Sequence, residues 1–116
     1  MPVTEAPACT RSSPPDRVSW VVTNEGDGTV ITVEGELDHA SAGAFAAALA
    51  AVGAGGCDAT VDMARVTAID AGALDGLVRV KRLFEILGLG LFLRAPSGPI
   101  ERRLGLFHLE DLIEAR

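Results

Sequence analysis

The sequence predicts an α/β domain: a small mixed β-sheet of about four strands, opened by an N-terminal hairpin and continued by parallel crossovers, with three to four helices packed on it. Three observations lead there. Val18, Trp20 and Val22 alternate with polar positions, and a second β-rich run at Val30, Ile31 and Val33 follows across Asn24-Glu25-Gly26-Asp27-Gly28; this is the pattern of a hairpin with glycine in its turn. Helical and strand periods then alternate towards the C-terminus, which calls for right-handed crossovers between parallel strands. Finally, Leu89 to Leu93 is almost continuously apolar, as expected of a strand covered on both faces.

Size and charge set the bounds. At 116 residues the chain is long enough for one domain with its own core. Sixteen acidic residues against ten basic ones give a net charge of −6, and the clustered Lys and Arg that a nucleic-acid surface needs are missing. Pro2, Pro7, Pro14 and Pro15 fall among polar residues, so residues 1–16 read as a disordered Pro/Ser-rich leader and residues 17–116 as the folded domain. The longest apolar run, Ala42 to Ala54, is alanine-rich and interrupted by glycine. It is too weakly hydrophobic for a bilayer span, so no membrane insertion and a cytoplasmic location are expected. Cys9 and Cys57 have no paired spacing and read as free thiols of a reducing compartment.

The elements follow in order. After the hairpin, Asp38 or Ser41 can cap a helix in which Phe45, Leu49 and Val52 recur at helical spacing. Gly53 to Gly56 end it. A third strand is expected over Ala59 to Met63, followed by a loop that ends on Asp70. Asp70 is a good N-cap for a long helix from Ala71 to about Leu87, with Gly88 as the residue just past its end. Pro99 sits near the first turn of a last helix opened by Ser97. Gly105 is expected to break that helix before a short terminal one from Leu109 to Ala115.

The long helix carries two apolar stripes. Leu74, Leu77, Val78, Phe84 and Leu87 are expected to face the sheet, while Asp75, Arg79, Arg82 and Glu85 lie mostly away from it. Val80, Leu83 and Ile86 form a second strip. It is either a broadening of the core-facing stripe or an exposed apolar patch for a partner protein or a second copy of the chain, a homodimer.

Enzyme chemistry finds no support. The helix after Asp70 begins Ala71-Gly72-Ala73, without hydroxyl, thiol or imidazole. No GxxxxGK[ST] or GxGxxG loop is present, no ligand-like spacing of His39, His108, Cys9 and Cys57 suggests a metal, and no cofactor is expected. His39 beside Asp38 lacks a serine placed to complete a triad. An anion sensor at the positive end of the long helix is opposed by nearby Asp38 and Asp70.

On these residues a family resemblance rests. The strand ending Gly35-Glu36-Leu37-Asp38, the alanine-rich helix, and then Val61-Asp62-Met63-Ala64-Arg65-Val66-Thr67-Ala68-Ile69-Asp70 resemble a STAS domain of the bacterial anti-sigma factor antagonist type, from about Arg17 to the C-terminus. The resemblance implies a non-enzymatic regulator of transcription that binds an anti-sigma factor, a serine kinase-like protein. It places the partner surface at Asp38, His39, Ser41, Asp70, Ala71, Gly72, Ala73, Asp75, Gly76 and Arg79. The family's phosphoacceptor Ser or Thr matches Gly72, so no phosphorylation is expected there.

Phosphate would add roughly −1.5 to −2 charge beside two aspartates and weaken an interface. Without it, two consequences compete: constitutive binding of the partner, or a weak-binding state mimicked by the standing charge of Asp75, three residues after Gly72. A drifted position in an unswitched scaffold domain is the plainer reading of the glycine. The same fold also serves as an accessory subunit of ABC-type lipid transporters, the alternative function that the resemblance allows.

Overall fold

The computed structural model describes residues 18–26 and 28–114. The expected leader and Cys9 lie outside the described residues. The order is β1 (Val18–Glu25), β2 (Gly28–Leu37), α1 (His39–Ala54), β3 (Asp58–Ile69), α2 (Ala71–Leu87), β4 (Leu91–Arg94), α3 (Gly98–Leu106) and a 3-10 turn at Glu110–Leu112. The sheet runs β1-β2-β3-β4, antiparallel between β1 and β2 and parallel thereafter. This is the expected α/β architecture of a mixed four-stranded sheet, hairpin first and crossovers after.

Strand alternation divides the sheet into two faces. Ile31 and Val33 of β2, Val61 and Met63 of β3 and Leu93 of β4 are completely buried on the face that the helices cover. There they meet Phe45 and Leu49 of α1, Leu74, Leu77 and Phe84 of α2, and Leu104 of α3. Trp20 of β1 meets Phe45 edge-on, with ring centroids 5.4 Å apart. The opposite face is more open. Phe92 is 40% exposed and Val21 62% exposed, so β4 is covered on one face only, against the expectation from its apolar run.

Several boundaries differ from the sequence reading. β3 does not give way to a loop after Met63; it continues to Ile69, because Glu34–Leu37 of β2 go on pairing with Arg65–Ile69 across register shifts before Glu34 and before Glu36. Gly35, at φ +107° beside the second shift, takes a backbone conformation that other residues adopt only at a cost. Gly105 lies inside α3. The break falls at His108, whose φ of +59° turns the chain into a 3-10 turn instead of a terminal helix. Ile113 then bridges β4 at Leu93, and the Glu114 N–H donates to the Leu93 carbonyl.

The long helix matches its expected bounds, and Gly88 closes it with φ +72°. Its apolar stripes sort differently. Val80, assigned to the second strip, is buried in the core, Leu83 is half-buried and Ile86 is 82% exposed. Leu87 is exposed as well, and Val78 is only partly buried. The supposed exposed patch of Val80, Leu83 and Ile86 is therefore not a continuous surface: the core-facing stripe takes Val80 in. Among the described residues no helix is long and apolar enough to cross a membrane.

Candidate docking site at two helix starts

α1 and α2 begin side by side, and Asp70 joins them. One carboxylate oxygen, Oδ1, accepts from the Ala73 N–H at 3.0 Å, the N-cap bond of α2. The other, Oδ2, accepts from the N–H of His39, the first residue of α1, at 2.9 Å. Both helices leave their first N–H groups without partners of their own, and both point the positive end of their dipoles at this carboxylate. The chain reaches this geometry because β2 and β3 are adjacent and parallel, with Leu37 paired to Ile69; the two strands deliver Asp38 and Asp70 to the same edge. The Asp70 N–H also donates to the Leu37 carbonyl.

Asp38 is the N-cap of α1. Its carboxylate accepts from the Ser41 N–H at 3.0 Å while the Ser41 hydroxyl accepts from the Asp38 N–H at 3.2 Å, a reciprocal capping box in which serine takes the place usual for Glu or Gln. The sequence left the cap open between the two residues; the structure gives Asp38 the cap and Ser41 the return bond.

The electrostatics follow from these bonds. The Ser41 N–H holds the Asp38 carboxyl below its ordinary value, against burial and the neighbouring charge of Asp70. Burial pushes Asp70 up, but the hydrogen bonds from Ala73 and His39 outweigh it, so Asp70 too stays below the usual carboxylate range. Both groups are anions at neutral pH. The His39 imidazole stands over the pair, with Nδ1 3.6 Å from Asp70 Oδ2 and its side chain 85% exposed.

Gly72 fits into this corner because it has no side chain. A Cβ at this position would stand 2.6 Å from the His39 Cβ and 3.0 Å from its Cα, closer than nonbonded carbons approach. The glycine lets His39, at the start of α1, approach the start of α2 this closely.

The remaining expected site residues separate. Ala71 is exposed and Gly72 half-exposed, while Ala73 is 2% exposed and belongs to the core; Ala73 cannot meet a partner. Gly76 is not on the outer face of α2 either: a Cβ there would lie 3.8 Å from the Ala42 carbonyl oxygen and 3.9 Å from the Ala46 Cβ, which places it at the seam with α1. Asp75 and Arg79 are exposed and pair with each other, Oδ2 to guanidinium, at 2.9 Å. The surface that remains consists of Asp38, His39, Ser41, Asp70, Ala71, Gly72, Asp75 and Arg79.

The shared carboxylate and the steric closure at Gly72 were missed in the sequence, because both depend on residues more than thirty positions apart meeting in space. No group of three or more His, Cys, Asp or Glu side chains among the described residues could hold a metal ion. Cys57 is a half-buried free thiol.

Comparison with known proteins agrees with this architecture. A family model described as "Mlab, STAS domain" matches residues 20–114. The structure is similar to that of the anti-sigma factor antagonist SpoIIAA in its unphosphorylated form (TM-score 0.73, 16% identity, covering 83% of this chain and 86% of that one). It also resembles the Bacillus cell fate determinant SpoIIAA in the phosphorylated form (TM-score 0.68, 17% identity, 83% and 89% covered). An anti-sigma factor antagonist from Mycobacterium paratuberculosis is similar at 25% identity, with a TM-score of 0.70 and 88% and 87% covered. No curated protein matches the sequence significantly.

Proposed function

The chain belongs to the STAS domain family, and on that footing we propose that it is a non-enzymatic regulatory binding module that docks on an anti-sigma factor, a serine kinase-like protein, with no phosphorylation switch at position 72. The reading places it in the bacterial cytoplasm, where it would act on transcription by sequestering its partner. Its docking surface is the corner where α1 and α2 begin, ringed by Asp38, His39, Ser41, Asp70, Ala71, Asp75 and Arg79.

The observation that carries the reading is Gly72. It offers no hydroxyl, and the His39 Cβ 2.6 Å from its missing Cβ leaves no room for a serine without rearrangement. An added phosphate in this corner would stand against the anionic Asp38 and Asp70 and disrupt an interface by repulsion and desolvation. Lacking the acceptor, the corner keeps its charge whatever the activity of a kinase.

The alternative, in which Asp75 imitates the phosphorylated state, is weakened by its ion pair. With the Arg79 guanidinium 2.9 Å away, the local charge is largely offset, whereas a phosphate carries nearly twice the charge of one carboxylate. Constitutive binding is the better-supported reading.

A photo-crosslinking amino acid at the exposed position Ala71, in the chain expressed in its source cell, tests the proposal. Capture of a kinase-like anti-sigma factor, lost when Asp38 and Asp75 are both changed to Lys, supports it. Capture of the nucleotide-binding subunit of an ABC transporter overturns it in favour of the transporter accessory role.

A further inference from the structure

The two edges of the sheet are treated differently. β4, four residues long, is extended by the C-terminal segment, with Ile113 bridged to Leu93 and the Glu114 N–H on the Leu93 carbonyl. Among the described residues β1, eight residues long, pairs only with β2 and is open along its other side. Sheet edges of this length are normally blunted by Lys, Pro, a bulge or a covering segment, because their free main-chain groups pair with another strand. Among the described residues β1 has almost none of these devices: it contains no proline and its one charge is the terminal Glu25, no described segment covers it, and its register with β2 is unbroken.

We propose that the open edge of β1 pairs antiparallel with β1 of a second copy, joining the two sheets into one of eight strands. The direction and register follow from the hairpin. Glu25 pairs with Gly28 across a two-residue turn, which makes them a hydrogen-bonded pair, and the alternation of antiparallel ladders then turns the N–H and C=O groups of Val18, Trp20, Val22 and Asn24 away from β2. A two-fold axis through Val21 sets each outward residue against another, Val18 on the partner's Asn24 and Trp20 on the partner's Val22.

The side chains match as well as the backbone. On the helix-covered face this register sets Trp20 beside the partner's Val22, an aromatic on a β-branched residue, and Val22 is 50% exposed in the single chain. On the open face it sets Val21, 62% exposed, against its own copy. Charge favours a copy of this chain over a charged partner strand: β1 carries a single charge, at its last residue Glu25, and the neighbouring helix is uncharged from Ala40 through its end, so two chains of net charge −6 meet along their least charged flank. This surface is distinct from the corner at Asp70, and the two proposals stand or fall separately.

Sedimentation of the full chain from micromolar to millimolar concentration, combined with amide exchange by NMR, tests the proposal. The expected result is a particle of twice the 12.0 kDa chain mass, with slow exchange at Trp20, Val22 and Asn24, and tighter association as salt screens the net charge. Val21→Lys puts like charges opposite each other at the axis and should weaken the dimer at least tenfold, with a melting curve unchanged at concentrations where the wild type is monomeric. Val22→Pro, which removes an outward donor only, gives an independent reading should the lysine variant fold poorly. A monomer at all concentrations overturns the proposal, as does a dimer that keeps fast exchange at Trp20 and Val22 or is unaffected by both variants.

Discussion

The N–H of His39 donates to Asp70 at 2.9 Å, so the cap of the second helix also holds the first residue of the helix before it. One carboxylate thus serves two helix starts, although His39 and Asp70 lie 31 residues apart in the chain.

Replacing Asp70 with Ala should therefore cost more than the loss of a single cap. Removing an N-cap costs about 0.5–2 kcal/mol; here the His39 amide loses its partner too, and a total of about 2 kcal/mol is expected, moderated by the 41% exposure of the side chain. Urea unfolding measures it. A cost below about 0.5 kcal/mol would mean that water replaces both bonds freely.

Gly72 and Gly76 lie one helical turn apart and should respond to alanine with opposite signs. At Gly72 the new Cβ meets His39 at 2.6 Å, and overpacking of this kind costs about 1–3 kcal/mol. At Gly76 the nearest atoms are at 3.8 Å or beyond, an ordinary contact, so Gly76→Ala should gain about 0.5–1 kcal/mol from helix propensity. Thermal melts of the two variants side by side provide the check. A stabilised Gly72→Ala would remove the steric argument.

Stability should fall in acid through the two caps. Asp38 and Asp70 both titrate below the ordinary carboxylate value in the folded chain, so each stabilises the fold above that value and loses its contribution as the pH drops through the folded-state value. Asp70→Asn removes one of these contributions. The stability difference between wild type and Asp70→Asn should be constant near neutrality and shrink below about pH 4. A difference that persists unchanged to lower pH would assign the effect to packing instead of charge.

Asp75 gives a test of the binding mode. With its charge offset by Arg79, Asp75→Ala should change affinity for the proposed anti-sigma partner by less than about threefold, as exposed pairs contribute little. A large gain in affinity, measured by calorimetry, would support the phosphate-mimic reading instead.

Much of the architecture was legible in the sequence because each signal was local. Asp70 and Gly88 bracket α2 by capping preferences alone, and the alternation at Val18, Trp20 and Val22 marks β1. Errors arose where a distant partner decided the outcome. Thr67 and Ala68 have no strong strand pattern, yet the ladder with Glu36 and Leu37 carries β3 to Ile69. Val80, by contrast, was a local misreading: three residues after Leu77 and four before Phe84, it shares their helical stripe and is buried with them. At the site, Asp38 and Asp70 were readable as caps, but the contact between His39 and Gly72 belongs to the tertiary arrangement of two parallel strands and has no local signature.

The central claim is a docking corner that a kinase cannot switch off. Native mass spectrometry of the chain with the proposed partner, a purified kinase-like anti-sigma factor, before and after ATP, tests it most directly. A complex that survives ATP with no phosphate on the chain is the predicted result. A complex that dissociates on ATP, with phosphate on Ser41 or Thr67, would contradict it.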